Sequence, residues 1–84
     1  MSREIEMLTA DGLENALLGQ MAVDRWTDQP YEVLVYSVEK ILNVLMERDG
    51  MTSEEAQEYF DYNIEGAYVG PGTPVYVYPF YEEK

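Results

Sequence analysis

Histidine and cysteine are both absent from this chain of 84 residues. The protein therefore lacks the usual acid–base catalyst of neutral pH, the thiol nucleophile, and the side chains that most often bind transition metals. No disulfide framework can form, which is typical of proteins in a reducing compartment. Because no lysine-activated nucleophile is evident either, we expect a protein that is not an enzyme and that binds no metal or other cofactor.

Positive charge is also scarce. Five Lys and Arg residues stand against 17 Asp and Glu residues, and the net charge is −12. Between Arg48 and Lys84 there is no positive charge, whereas the same stretch carries eight acids. Such a surface repels DNA, RNA and anionic lipid and attracts cations. We therefore expect a basic protein partner and no direct binding to nucleic acid or membrane.

Long apolar runs are missing as well, since the longest have about four residues, far fewer than a membrane span needs. No apolar segment of the secretory type follows residues 1–4, so we expect no signal peptide and a cytoplasmic protein.

A chain of this length predicts a single domain over residues 1–84, with residues 1–10 as an acidic N-terminal arm. Aromatic residues make up 13% of the chain, and eight of them are Tyr, which indicates a folded core.

Two helices are predicted in the second half of the chain. Ser37 is a favourable N-cap and Gly50 a favourable C-cap for a first helix between them. Its apolar stripe consists of Val38, Ile41, Leu42 and Leu45. Thr52 and Glu55 have the spacing of a capping box, which predicts a second helix that ends at Gly66. Its buried face consists of Ala56, Tyr59, Phe60 and Ile64.

Strand patterns occur on both sides of these helices. Residues 31–36 are rich in Val, Leu and Tyr, and residues 75–78 alternate Val with Tyr, so both segments predict strands. Alternation places Tyr76 and Tyr78 on the same side of the second of these strands. Residues 16–26 fit either structure, because their apolar residues have both helical and alternating spacing, and propensity alone slightly favours a helix.

One set of short segments extends over most of the chain: DGLENALLG (11–19), IL (41–42), MERDGMT (46–52), EEA (54–56), EYF (58–60), NIEGAYVG (63–70) and GTP (72–74). These segments resemble small tailed-bacteriophage proteins of unassigned activity. The similarity extends over roughly residues 11 to 80, and residues 49–74 are its most specific part.

This resemblance implies a phage protein located in the host cytoplasm, and it transfers no catalytic residue. It also implies a strand for residues 16–26. The predicted fold is then α+β with the order β-β-α-α-β, in which two helices cover one face of a small antiparallel sheet.

The acids of the second helix are the strongest candidates for a binding surface. Glu54, Glu58, Asp61 and Glu65 follow one helical face, with about one charge per 5 Å compared with about one per 3.4 Å along a DNA strand. The leading hypothesis is a surface that imitates nucleic acid and inhibits or modulates a host nucleic-acid-handling or defence protein. Tyr62 is the predicted anchor beside these acids. The alternative is a solvated face that serves solubility.

The tyrosines of the last strand suggest a second hypothesis. If one helical layer covers a single face of the sheet, a side of that strand stays open. Tyr76 and Tyr78 are then the predicted oligomer interface of a homodimeric phage accessory or structural protein. In that case the acids contribute solubility alone.

Overall fold

The computed structural model describes residues 7–25, 28–66 and 70–79. These residues form an α+β fold, which confirms the predicted class. The elements in chain order are a short 3-10 helix (Glu14–Ala16), β1 (Leu17–Val23), β2 (Tyr31–Ser37), α1 (Val38–Asp49), α2 (Ser53–Tyr59), a π-helix (Phe60–Glu65) and β3 (Val75–Val77). The predicted order β-β-α-α-β agrees with this succession apart from the added 3-10 and π-helical segments.

The three strands of the described residues form one sheet in the order β1-β2-β3. β1 runs antiparallel to β2, as predicted, but β3 runs parallel to β2. The prediction of an antiparallel sheet is therefore wrong for the third strand. The reason is the connection between β2 and β3, because α1, α2 and the π-helix form the long crossover that a parallel neighbour requires.

The predicted helix ends are present in the structure. The Ser37 hydroxyl accepts a hydrogen bond from the Lys40 N–H at 3.2 Å, and Gly50 ends α1 in the left-handed conformation with a φ of 70°. At the start of α2, the Thr52 hydroxyl accepts from the Glu55 N–H at 3.1 Å, and the Glu55 carboxylate accepts from the Thr52 N–H at 2.9 Å. These bonds fix the short turn between the helices and hence the direction of α2.

The core lies between the helices and one face of the sheet. Its buried members are Leu13, Ala16, Tyr36, Val38, Ile41, Leu45, Ala56 and Phe60. Leu34, which alternation places on the same face of β2 as Tyr36, packs against this cluster. Val33 is also buried but points to the opposite face. The helices therefore pack on the Tyr36 face.

The N-terminal arm is described from residue 7 onward, and residues 1–6 lie outside the described residues. The Leu8 N–H donates to the Gly72 carbonyl at 3.2 Å, and the Ala10 N–H donates to the Tyr36 hydroxyl at 3.0 Å. The end of the arm is thus held against both the sheet and the turn before β3.

Candidate partner-binding face

The four acids that the sequence singles out lie on one continuous helical segment. Glu54 and Glu58 belong to α2, Asp61 and Glu65 belong to the π-helix, and all four side chains are exposed. None of them forms a salt bridge with a described Lys or Arg. Their charges are therefore not neutralised within the described part of the chain, and the segment attracts cations. We call this segment, with these four residues, the acidic face.

The π-helix changes the geometry that the sequence predicted for the acidic face. Its hydrogen bonds join residue i to i+5, so it has more residues per turn than the 3.6 of an α-helix. Asp61 and Glu65 are consequently rotated away from the line through Glu54 and Glu58. The acidic face is broader than the narrow stripe of a regular α-helix.

Burial gives a physical reason for the wider turn. Ala56, Phe60 and Ile64 are spaced four residues apart, and each such step overshoots an α-helical turn by about 0.4 residue. The π-helix reduces this overshoot for the step from Phe60 to Ile64. Phe60 is fully buried and Ile64 partly buried. The Phe60 ring meets Tyr76 edge-on with centroids 5.5 Å apart, and Tyr78 in the same way at 6.3 Å. Aromatic packing thus fixes the segment that displays the acids.

A shallow hollow of about 380 Å³ adjoins Glu58 on the acidic face. Its lining consists of Met51, Glu55, Glu58, Tyr59, Tyr62 and Asn63. Tyr62, the predicted anchor, is 79% exposed. Two carboxylates and two phenol rings around one hollow suit a Lys or Arg side chain, which they attract through charge and cation–π contact.

One carboxylate of the acidic face is oriented by its neighbour. The Gln57 side-chain amide donates a hydrogen bond to Asp61 Oδ1 at 3.0 Å. The two residues are four positions apart, a spacing that brings side chains together on a helical surface. Because the amide is neutral, this bond positions the carboxylate and leaves its negative charge uncompensated.

Arg48 has a structural role that the sequence did not indicate. Its guanidinium donates to both carboxylate oxygens of Asp49 at 3.0 Å and to the Gly12 carbonyl at 2.9 Å. The hydrogen bond from Arg48 lowers the pKa of the Asp49 carboxyl, and the Asp49 carboxylate in turn raises the pKa of Arg48. Arg48 therefore joins the end of α1 to the N-terminal segment.

A second cavity, of about 320 Å³, also has Tyr59 in its lining. Leu13, Leu45 and Tyr76 contribute apolar walls, and Arg48 and Asn63 contribute polar groups. Tyr59 and Asn63 line both this cavity and the hollow beside Glu58. The two concave surfaces therefore adjoin at the junction of α2 and the π-helix.

The tyrosines predicted as an oligomer interface lie on the helix-covered face of the sheet. The Tyr76 ring packs against Tyr36 with centroids 6.0 Å apart and against Phe60. Burial, with a further contribution from Tyr36, raises the pKa of the Tyr76 hydroxyl. Tyr76 is thus in contact with the protein's own core, whereas Tyr78 is 54% exposed.

Arg25 has a structural role that was not predicted from the sequence. Its guanidinium donates to the carbonyls of Pro71 at 3.2 Å and Thr73 at 2.9 Å, and so ties the end of β1 to the turn before β3. The sequence offered one signal for this role, namely that basic residues are scarce: the chain has five of them against 17 acids, and Arg25 is one of the five. A cation that bonds neutral carbonyls in such a chain indicates a structural role.

Comparison with protein-family models, with curated proteins and with solved structures finds no match for this chain. Within residues 7–25, 28–66 and 70–79, no group of three or more acidic side chains has an arrangement that could hold a metal ion. None of the described helices is long and apolar enough to cross a membrane. The exposed carboxylates and the hollow on α2 and the π-helix are therefore the features that bear on function.

Proposed function

We propose that this protein is a non-enzymatic binding protein that docks on a basic protein partner through its acidic face. The observation that carries the proposal is the exposure of all four carboxylates on one helical segment with no described cation beside them. Long-range attraction then steers a basic surface toward this segment.

The hollow beside Glu58 gives the partner a place for a specific contact. A Lys or Arg side chain that enters it meets the Glu58 carboxylate and the Tyr62 ring together. Aromatic residues such as Tyr are frequent anchors of protein interfaces because they contribute a large apolar surface and one polar group. Charge on the acidic face supports fast association, and the hollow supports selectivity.

The target class follows from the charge spacing and the resemblance together. The sequence spacing, about one charge per 5 Å for a regular α-helix, is of the same order as the roughly one per 3.4 Å along a phosphate backbone, and the π-helix spreads these charges over a broader face. The resemblance to tailed-phage proteins favours a host protein as the bearer of such a groove. We propose that the protein inhibits or modulates a host nucleic-acid-handling or defence protein in the host cytoplasm.

The test reverses the charge of two residues of the acidic face, Glu58→Lys with Asp61→Lys. Its matched control is Asp28→Lys with Glu47→Lys, which reverses two exposed acids elsewhere. Each double variant changes the net charge by +4, from −12 to −8. A general charge effect weakens binding equally in both, whereas docking on the acidic face weakens it in the first variant alone.

Each protein is immobilised and incubated with extract of the host cell, and bound proteins are released at about 0.05 M and then about 0.5 M salt. We expect wild type and control to capture the same partner, and the acidic-face variant to bind it at least tenfold more weakly, a loss of about 1.4 kcal/mol. Duplex DNA should compete with wild type for this partner. Equal capture by all three proteins would show that the acids serve solubility.

A further inference from the structure

β1 lies at one edge of the sheet and is paired on its inner side. In the part of the chain that the structure describes, it pairs with β2 and with no other strand. Six of its seven residues are exposed. An edge strand presents a row of backbone N–H and C=O groups that another strand can bond. Among the described residues, the outer side of β1 is therefore a free hydrogen-bonding edge.

This edge lacks the charges and prolines with which proteins usually protect free strands. Residues 15–23 contain no charged residue and no proline, although the chain has 17 acids. Leu18 is 52% exposed and Met21 42% exposed. A bulge between Leu17 and Gly19 interrupts the start of the strand, whereas Gly19–Val23 continues in regular register with β2. The regular part of β1 is thus open, uncharged and partly apolar.

We propose that Gly19–Val23 pairs antiparallel with the same segment of a second copy and forms a homodimer with a continuous six-stranded sheet. A twofold axis through the middle of this segment places Met21 opposite its own copy and Gly19 opposite Val23. Asp24 then lies opposite Leu18, so the carboxylates at the strand ends do not face each other.

A second copy fits this edge better than another kind of partner. An antiparallel strand edge is complementary to itself under a twofold axis, as symmetric dimers require. Two copies that each carry a charge of −12 repel each other least where both are uncharged. A basic partner finds no carboxylate on residues 15–23. The pairing uses neither α2 nor the π-helix, so it does not depend on the proposed function.

The first test is the mass of the protein by sedimentation equilibrium at about 10–100 µM, a range in which mass action reveals a dimer of moderate affinity. We expect the mass of two chains. Met21→Lys sets two ammonium groups opposite each other at the axis and should weaken the dimer at least tenfold. Glu47→Lys, a lysine substitution on α1, should leave the mass unchanged. Circular dichroism checks that each variant is folded.

The second test uses the absence of native cysteine. Facing residues of an antiparallel pair have Cα atoms about 4.5–5.5 Å apart, within the range of a disulfide bond. Met21→Cys should therefore form covalent dimers under mild oxidation, and Glu47→Cys should not. If Met21→Lys does not fold, the cross-linking of Met21→Cys still tests whether β1 pairs with a second copy. A monomeric wild type, or a dimer that Met21→Lys does not weaken and Met21→Cys does not cross-link, would overturn the proposal.

Discussion

Replacing Phe60 with Leu tests how much the burial of Phe60 and its aromatic contacts contribute to the free energy of unfolding. Phe60 is fully buried, and its ring contacts Tyr76 and Tyr78 edge-on. Truncation of a buried Phe to Ala costs about 3–5 kcal/mol, and a Leu side chain refills part of the space that Ala would leave empty. Leu makes no aromatic contacts, and each lost contact costs about 0.5–1.5 kcal/mol. We expect Phe60→Leu to lower the free energy of unfolding by about 2 kcal/mol.

That loss is large for a domain of this length, whose free energy of unfolding is expected to be about 4–13 kcal/mol. The expected decrease in Tm is about 8–16 °C. The assay is urea unfolding followed by circular dichroism at one protein concentration, with the denaturant slope checked for constancy. Tyr62→Leu is the matched control, because Tyr62 lies two residues away in the same π-helix and is largely exposed. It should change the free energy by less than about 0.5 kcal/mol. Equal effects of the two substitutions would refute the assignment of Phe60 to the core.

Two further predictions concern the end of α1. Gly50→Ala should lower the free energy of unfolding by about 1 kcal/mol, because Gly50 has a φ of 70°, which strains a residue with a Cβ. A Cβ at this position meets no atom within 4 Å, so backbone strain is the only cost. An unchanged urea midpoint would contradict this prediction. Because the folded protein lowers the pKa of Asp49, near and below pH 4 the unfolded chain binds a proton that the folded chain does not. The ion pair with Arg48 therefore stabilises the fold above the unfolded pKa of Asp49. This stabilisation is lost as the pH falls through the folded pKa. Thermal unfolding from pH 5 to pH 2 should therefore lower the Tm of wild type more than that of Asp49→Asn, and equal slopes would show that Arg48 does not affect this titration.

The helix ends could be predicted from the sequence because their signals are local. Ser37, Gly50 and the pair Thr52 and Glu55 act within three or four residues of their own positions, and each does what its residue type predicts. The second helix was predicted to be α-helical up to Gly66. Its π-helical half begins at Phe60, which is buried in the core, and such packing is not visible in the local sequence.

The direction of β3 could not be read from residues 75–78. Alternation identifies a strand and its two sides, but the helices before it determine the direction in which the chain returns to the sheet. The length of the connection was an available signal, since residues 38–74 include two helices and parallel neighbours need such a crossover. The spacing of residues 16–26 fits a helix or a strand, and only the resemblance predicts a strand. The structure has β1 over Leu17–Val23.

The acidic face, the hollow and the edge of β1 differ in how well the sequence predicts them. The acidic face was found by spacing, and its four residues are exposed as a binding surface requires. The hollow was not foreseen, because it depends on Met51 approaching Tyr59 and Tyr62 across the turn that begins α2. The free edge of β1 left a signal in the sequence, namely nine consecutive uncharged residues from 15 to 23 in a chain of net charge −12.

Charge is segregated between these two surfaces. Acids that serve solubility alone work best when they are spread over a surface and interspersed with bases. Here the edge strand carries none, and α2 with the π-helix carries Glu54, Glu55, Glu58, Asp61 and Glu65. A neutral edge permits the close backbone approach that strand pairing needs, whereas an anionic helical face acts at longer range. Pairing of two copies through β1 would present the acidic face twice, and a partner with two basic sites, or one extended groove, would then be held more tightly than by a single copy.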